Sequence, residues 1–234
     1  MDSPEPSFDD FNLDPPVEVE TGAATAAVIW LHGLGADGHD FEAVASALGG
    51  SSARAMRFVL PHAPVRAITI NGGMRMRGWY DIADADLARA PDRAGLDQSA
   101  AIARALIARE ARRGIASRDV FLAGFSQGGA VALHAALRFD APLAGVIALS
   151  AYLPCADALA AERSAANRRT PILLAHGRHD PLIPIALARA GRDALTESGY
   201  AVEWREYPIE HGVCAEEIDA VAAFMARASR ADDG

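Results

Sequence analysis

The stretch AGFSQGGA, residues 123–130, places one small polar residue, Ser126, between glycines at positions 124 and 128. The apolar run 120–123 before it predicts a buried strand, and the small residues over 128–137 after it predict a helix. G-x-S-x-G between a strand and a helix is typical of a nucleophile elbow, where a sharp turn exposes the serine hydroxyl and leaves no room for a Cβ at either glycine. A turn that merely needs glycine is the alternative. The flanking strand and helix favour a nucleophilic serine.

Strand-like and helix-like segments alternate along the rest of the chain. The predicted strands cover residues 28–31, 57–60, 68–70, 120–123, 145–149, 171–175 and 202–207, the last at the margin of the sheet. The predicted helices cover 41–48, 98–113, 128–137, 184–198 and 215–227, with Asp97 as the N-cap of the second. Such alternation predicts an α/β fold with a mostly parallel sheet and helices on both faces. Ligand sites in such sheets form at the carboxyl ends of the strands.

The composition excludes several classes of protein. The chain has 234 residues and a net charge of −9, and all 22 of its Lys and Arg positions are arginine, without a basic tract. We therefore expect no nucleic-acid partner, because phosphate binding needs clustered positive charge. The two cysteines, Cys155 and Cys214, have neither the number nor the spacing of a disulfide framework or a zinc site, so we expect reduced thiols and no metal.

The first residues are acidic and rich in proline, which predicts a flexible tail over 1–22 and a single domain over 23–234. This start has neither the positive residues nor the apolar stretch of a secretory signal. The apolar run over 23–31 is far short of the ~20 residues of a membrane span. We therefore expect a cytoplasmic protein without stable membrane insertion.

A nucleophilic serine needs a histidine as base and a carboxylate behind it. His211 follows the last predicted strand, and Asp180 follows the strand before it. The order Ser126, Asp180, His211 is the chain order of an α/β-hydrolase triad, with each member in a loop after a strand. The main alternative carboxylate is Asp157, which no predicted strand directly precedes.

The other six histidines are expected to have structural or surface positions. His134 lies eight residues along the elbow helix, about 12 Å from Ser126 along its axis, which is too far for a general base. His32 and His176 each precede a glycine at a strand end, which favours loop-shaping residues with internal hydrogen bonds. Solvent exposure is expected for the remaining three, which are His39, His62 and His179.

Five stretches together resemble the phospholipase/carboxylesterase family of α/β-hydrolases, bacterial carboxylesterases related to acyl-protein thioesterases. They are VIWLHGLGADGHDF (28–41), LPHAPVRAITINGGMRMRGWYDI (60–82), VFLAGFSQGGAVALH (120–134), LSAYLP (149–154) and HGRHDPLIP (176–184). The resemblance runs from about residue 26 to the final helix. It implies that the serine, aspartate and histidine above are the catalytic residues. It also implies an oxyanion hole formed by the backbone N–H groups of Leu34 and Gln127, in agreement with the usual position of these donors.

Two further positions follow from the resemblance. Trp79, in GWYDI, would lie beside the catalytic groove and line the acyl pocket, the alternative being a packing anchor. Glu210 departs from the family pattern, which often has a small residue or proline before the histidine. We expect its side chain to point to solvent, because adjacent side chains diverge in an extended segment.

The expected function is that of a serine carboxylesterase that hydrolyses short- to medium-chain carboxylic esters through an acyl-enzyme, without metal or organic cofactor. Acyl-protein thioesterase or lysophospholipase activity through the same triad is the alternative. A non-catalytic binding protein of the same fold is a remote one, since such proteins typically lose a triad member. The expected partner is a small-molecule ester or lipid-like acyl substrate, and the resemblance also suggests a homodimer.

Overall fold

The computed structural model describes residues 6–84, 87 and 91–229. The strands are β1 Val17–Glu20, β2 Ala26–Leu31, β3 Met56–Leu60, β4 Val65–Ile68, β5 Met74–Arg77, β6 Val120–Phe125, β7 Gly145–Leu149, β8 Ile172–Gly177 and β9 Val202–Tyr207. The helices are α1 Glu42–Ser51, α2 Arg93–Arg112, α3 Gln127–Ala136, α4 Leu159–Glu162, α5 Ile185–Glu197 and α6 Ala215–Ala228.

Within these residues, seven strands form one sheet in the order β1-β3-β2-β6-β7-β8-β9, and β4 pairs with β5 in a separate hairpin. Every neighbouring pair in the large sheet is parallel except β1 and β3. The central strands β2, β7 and β8 are buried along their whole length, which explains their continuous apolar sequences. The half-buried β9 forms one edge, as its alternating sequence predicted.

Helices cover both faces of the sheet. Alternate residues of β2 point to opposite faces, so that Val28 and Trp30 pack with residues of α1 and α6, while Ala27 and Ile29 pack with residues of α2 and α3. All residues of α3 are buried, and most are glycine or alanine. These small side chains let α3 lie close to the sheet, with its first residue directly after Ser126. The fold class is that of an α/β-hydrolase, as predicted.

The prediction of a flexible tail over residues 1–22 is wrong for residues 6–22. Residues 1–5 lie outside the described residues. Strand β1 adds to the sheet antiparallel to β3, and the side chain of Phe8 is 5% exposed in the core. The valines and glutamates of β1 alternate, and Glu18 accepts two hydrogen bonds from Arg113, both at 2.9 Å. The acidic, proline-rich composition of this segment did not reveal a strand whose acidic side chains pair with arginines.

Helix α2 begins earlier than predicted because a different aspartate caps it. The Oδ1 of Asp92 accepts the backbone N–H of Gly95 at 2.9 Å, which satisfies one of the free donors of the first turn. Asp97 lies within the helix, and its Oδ1 is 2.8 Å from Nε2 of His134 on α3. A predicted N-cap at Asp97 is therefore wrong, because a tertiary partner on another helix uses that carboxylate.

Among the described residues, no helix has the length and the apolar sequence that crossing a bilayer would require.

Candidate active site

Ser126 occupies the sharp turn between β6 and α3. Its backbone has φ +55° and ψ −119°, a left-handed conformation that costs energy for a residue with a side chain. The turn is crowded on both sides. A Cβ on Gly124 would lie 2.3 Å from the carbonyl carbon of Gly128, and a Cβ on Gly128 would lie 2.1 Å from the carbonyl oxygen of Leu31. Both glycines are therefore required by backbone packing, as the G-x-S-x-G pattern predicted.

The structure brings together the three side chains that the sequence selected. Nε2 of His211 lies 2.9 Å from Oγ of Ser126, and its Nδ1 lies 2.6 Å from Oδ2 of Asp180. The other oxygen of Asp180 accepts the backbone N–H groups of Leu182 and Ile183, each at 2.9 Å. These two donors fix the orientation of the carboxylate, which holds the imidazole with its Nδ1–H toward Oδ2.

Backbone contacts between the loops after β8 and β9 set this arrangement. The N–H of Arg178 donates to the carbonyl of Tyr207 at 2.8 Å, and the N–H of His179 donates to that of Ile209 at 3.0 Å. Gly177 lies so close to the second loop that a Cβ on it would be 2.3 Å from the carbonyl oxygen of Glu210. The side chain of Glu210 is exposed, as predicted. Two loops that are remote in sequence thus form one support for the aspartate and the histidine.

The two predicted oxyanion donors lie at the elbow. Leu34 and Gln127 line one cavity with Ser126, and a Cβ on Gly33 would lie 3.6 Å from the Cβ of Ser126. Neither the N–H of Leu34 nor that of Gln127 donates to a carbonyl of the described chain. The Gln127 N–H is also the first of α3, where the helix dipole favours negative charge. Both N–H groups therefore belong to residues that line the same cavity as Ser126 and have no backbone acceptor within the described residues.

His32 holds the loop that carries Leu34. Its Nδ1–H donates to the carbonyl of Gly33 at 2.7 Å, and its Nε2 accepts the N–H of Ala63 at 3.0 Å. Burial lowers the pKa of His32 to about 4, so the ring is neutral at neutral pH and can both donate and accept. The predicted loop-shaping role with internal hydrogen bonds is confirmed.

Trp79, predicted to line the acyl pocket, is completely buried and acts as a packing anchor instead. Its indole N–H donates to the carbonyl of His32 at 2.9 Å, and its backbone N–H donates to Oε1 of Gln127 at 2.8 Å. The Nε2 of Gln127 in turn donates to the carbonyl of Tyr80 at 2.7 Å. The Gln127 side chain therefore ties segment 79–80 to the elbow, a role that the sequence did not suggest.

The remaining candidates make other contacts, and only His176 among those named here approaches the triad, with its Nε2 3.4 Å from Oδ2 of Asp180. His134 is fully buried and pairs with Asp97, and Nε2 of His176 donates to the carbonyl of Ile183 at 2.8 Å. Asp157 is exposed. The prediction of an exposed His62 is wrong, because this side chain is 8% exposed and its Nδ1 accepts the N–H of Gly38 at 3.1 Å.

Among the described residues, no group of three or more His, Cys, Asp and Glu side chains is placed to hold a metal ion.

A groove of about 600 Å³ opens over Ser126 and is called the main groove below. Its charged lining residue is Asp40, and no arginine lines it among the described residues. At its rim, Ile70 is 45% exposed and Leu182 is 65% exposed. The apolar and aromatic lining residues are Leu34, Ile70, Tyr80, Ile82, Leu87, Phe125, Tyr152, Leu182 and Ile183. Most of these residues stand in motifs such as GWYDI and LSAYLP, but periodicity could not show which of them face a cavity.

Comparisons with known proteins identify relatives of this chain over most of its length. The family model described as phospholipase/carboxylesterase matches residues 13–229. Acyl-protein thioesterase 1 of Neurospora crassa is 41% identical over 221 residues, which cover 90% of each chain. The crystal structure of Zea mays acyl-protein thioesterase 2 is 28% identical, covers 91% of this chain and 98% of its own, and superposes with a TM-score of 0.78. Esterase PE8 is also 28% identical with the same coverage, and its TM-score is 0.79.

Proposed function

We propose that this chain, which belongs to the phospholipase/carboxylesterase family of α/β-hydrolases and is a serine hydrolase, cleaves short- to medium-chain carboxylic esters through an acyl-enzyme on Ser126. The observation that carries the proposal is the 2.9 Å contact between Nε2 of His211 and Oγ of Ser126. This contact lies within the distance that proton transfer to a general base requires.

In the proposed reaction, Oγ of Ser126 attacks the substrate carbonyl while Nε2 of His211 takes its proton. Asp180 keeps the imidazole in the required tautomer and stabilises the imidazolium that forms. The N–H groups of Leu34 and Gln127 donate to the oxyanion of the tetrahedral intermediate. His211 then protonates the departing alcohol or thiol. Water activated by the same histidine releases the acid from the serine.

Thioester cleavage is supported at least as well as ester cleavage. The relative in Neurospora crassa and the structure from Zea mays are both named acyl-protein thioesterases, whereas PE8 is named an esterase. The triad and the oxyanion donors serve both reactions, because the two substrates differ in the leaving atom. We therefore propose an acyl-protein thioesterase as the second candidate beside the short- to medium-chain carboxylesterase.

Lysophospholipase activity is supported less well by the groove. A phosphate group is normally bound by arginine, lysine or a helix N-terminus, and the N-terminus of α3 in this groove is already assigned to the oxyanion. The main groove is lined by the carboxylate of Asp40 and by no arginine of the described chain. Its lining instead suits an uncharged aliphatic acyl group.

The proposal is tested with p-nitrophenyl butanoate and with the butanoyl thioester of N-acetylcysteamine. The wild type should hydrolyse at least one of them, and Ser126→Ala should lower kcat by about 10⁴-fold or more. Ser46→Ala, an exposed serine on α1, is the matched control and should keep wild-type rates. Equal rates for Ser126→Ala and wild type would show that another group is the nucleophile. The ratio of the two wild-type kcat/KM values decides between esterase and thioesterase.

A further inference from the structure

The carboxylate of Asp40 lines the main groove together with Ser126 and His211. Asp40 lies in the loop between β2 and α1 and is exposed to solvent. Neither the proposed ester cleavage nor the alternative thioester cleavage uses its charge. A single charge in a mostly apolar lining can discriminate between substrates of the same shape that differ in charge.

The charge of Asp40 is not neutralised within the described residues, where no arginine lines the groove and no cationic group lowers the pKa of this carboxyl. Burial and the negative charge of Asp37 instead raise its pKa. Nδ1 of the adjacent His39 lies 3.0 Å from Oε2 of Glu42. A cation in the groove would therefore find a carboxylate that these neighbours leave without a counter-charge.

Ring contacts connect the segment of Asp40 with the catalytic histidine. The ring of Phe41, the next residue along the chain, has its centroid 5.7 Å from that of Phe125. The ring of Phe125 in turn has its centroid 4.9 Å from that of His211. In the proposed reaction His211 protonates the leaving alcohol or thiol, so that part of the substrate must lie at the histidine. These contacts place Asp40 on the side of the groove that the leaving group occupies.

We propose that Asp40 selects substrates whose alcohol or thiol portion carries a positive charge, such as a quaternary ammonium or a guanidinium group. The inference rests on the proposed function, because it requires the substrate carbonyl at Ser126 and the leaving group at His211. The net charge of −9 of the whole chain would support the same preference by attracting cations from solution. A leaving group with a carboxylate or a phosphate at the same position would be repelled.

The experiment compares two esters of the same acid and nearly the same shape. They are butanoylcholine, whose leaving group is a cation, and 3,3-dimethylbutyl butanoate, in which carbon replaces the charged nitrogen. The kcat/KM values of both are measured at pH 8 and low salt for the wild type, Asp40→Asn and Asp40→Lys. Asp219→Asn is the matched control, because Asp219 is an exposed carboxylate of α6 that does not line the main groove. It changes the net charge by the same amount as Asp40→Asn.

The measured quantity is the ratio of kcat/KM for the cationic ester to that for the neutral ester. It should fall at least about fivefold in Asp40→Asn and further in Asp40→Lys, since unit charges about 6 Å apart at an effective dielectric constant of about 40 change an equilibrium about tenfold. High salt should reduce the difference between the proteins. Asp219→Asn should keep the wild-type ratio. An unchanged ratio in both Asp40 variants would overturn the inference, and so would an equal fall in Asp219→Asn.

A binding measurement separates this inference from the proposed function. The dissociation constants of the two esters are measured by NMR titration with Ser126→Ala, alone and combined with Asp40→Asn or Asp219→Asn. Asp40→Asn should weaken the binding of butanoylcholine relative to the neutral ester at least about fivefold, whereas Asp219→Asn should not. If the wild type cleaves no butanoyl substrate, the proposed function fails, and this comparison still decides the role of Asp40. Absence of butanoylcholine binding, or equal binding in the three proteins, would overturn it.

Discussion

The elbow around Ser126 and the rim of the main groove belong to one cavity, but different parts of the chain hold them in place. At the elbow, backbone atoms of β2, β6 and α3 approach so closely that Gly124 and Gly128 have no space for a Cβ. At the rim, the side chains of Ile70 and Leu182 are about half and two-thirds exposed. The geometry of bond cleavage therefore depends on backbone packing, whereas the shape offered to the acyl group depends on exposed side chains.

The largest effect is expected where a buried charge orients the base. Asp180→Asn preserves the size of the side chain but no longer favours Nδ1–H of His211, so kcat should fall by about 10⁴-fold. The rate of p-nitrophenyl butanoate hydrolysis checks the expected loss. It is measured with enough enzyme to detect so low a rate and with protein free of wild-type enzyme.

The matched control is Asp157→Asn, which changes the exposed alternative carboxylate and should keep the wild-type rate. If Asp157→Asn were the inactive variant and Asp180→Asn the active one, the assignment of the triad would be wrong.

The elbow itself should tolerate no added atom. Gly128→Ala places a Cβ 2.1 Å from the carbonyl oxygen of Leu31, and both partners are backbone, so relief requires strand and helix to separate. We expect a loss of about 3 kcal/mol or more in the free energy of unfolding and a loss of about 10²-fold in kcat. Urea unfolding and the esterase assay measure the two effects.

Gly50→Ala is the control for the glycine substitution. A Cβ on Gly50 of α1 meets no atom within 4 Å, so this variant should be neutral or about 0.5–1 kcal/mol more stable. A Gly128→Ala protein as stable and as active as Gly50→Ala would contradict the crowding argument.

The buried histidine beneath the elbow should make stability depend on pH. Folding lowers the pKa of His32 from 6.5 to about 4, so the unfolded chain binds the proton more tightly. The contribution of His32 is complete above pH 6.5 and is lost as the pH falls toward 4. Lowering the pH from 7 to 5 should therefore reduce the contribution of His32 to the free energy of unfolding by about 2 kcal/mol.

His32→Asn should lower the free energy of unfolding at pH 7 and should reduce its loss between pH 7 and pH 5 by about 2 kcal/mol. Urea unfolding at the two pH values measures both effects. Burial also lowers the pKa of His62, His134 and His176, so part of the acid destabilisation should remain. An unchanged slope in His32→Asn would show that this ring is not the group that titrates.

The smallest effect is expected at the rim. Leu182→Ser removes apolar surface that is largely exposed, so the free energy of unfolding should change by less than about 0.5 kcal/mol. The kcat/KM for a decanoyl ester should fall by about two- to fivefold, since only part of this side chain could be buried by substrate.

Met74→Ser on the hairpin is the matched control, because this residue is 64% exposed and does not line the main groove. It should keep the wild-type kcat/KM. A strong loss of stability in Leu182→Ser would contradict the contrast between elbow and rim.

The sequence predicted the triad because each member follows a strand, and parallel strands end at the same edge of a sheet. It placed the N-cap of α2 wrongly because Asp92 and Asp97 both precede helical residues. Only their contacts distinguish them, since Asp92 accepts the N–H of Gly95 whereas Asp97 contacts His134. It also assigned Trp79 to the pocket, although the indole is buried against the carbonyl of His32. Residue type and neighbouring sequence cannot show which side chains line a cavity.

The sequence by itself determined the α/β alternation, the glycines of the elbow and the chain order of serine, aspartate and histidine. These features depend on steric constraints that act over a few residues. Only the tertiary structure decided that the loops after β8 and β9 pair through their backbones, that Gln127 ties segment 79–80 to the elbow, and that apolar side chains from separate segments line one groove over Ser126. The physical reason is that cavities and second-layer contacts are formed by segments far apart in the chain, whose packing no local pattern records.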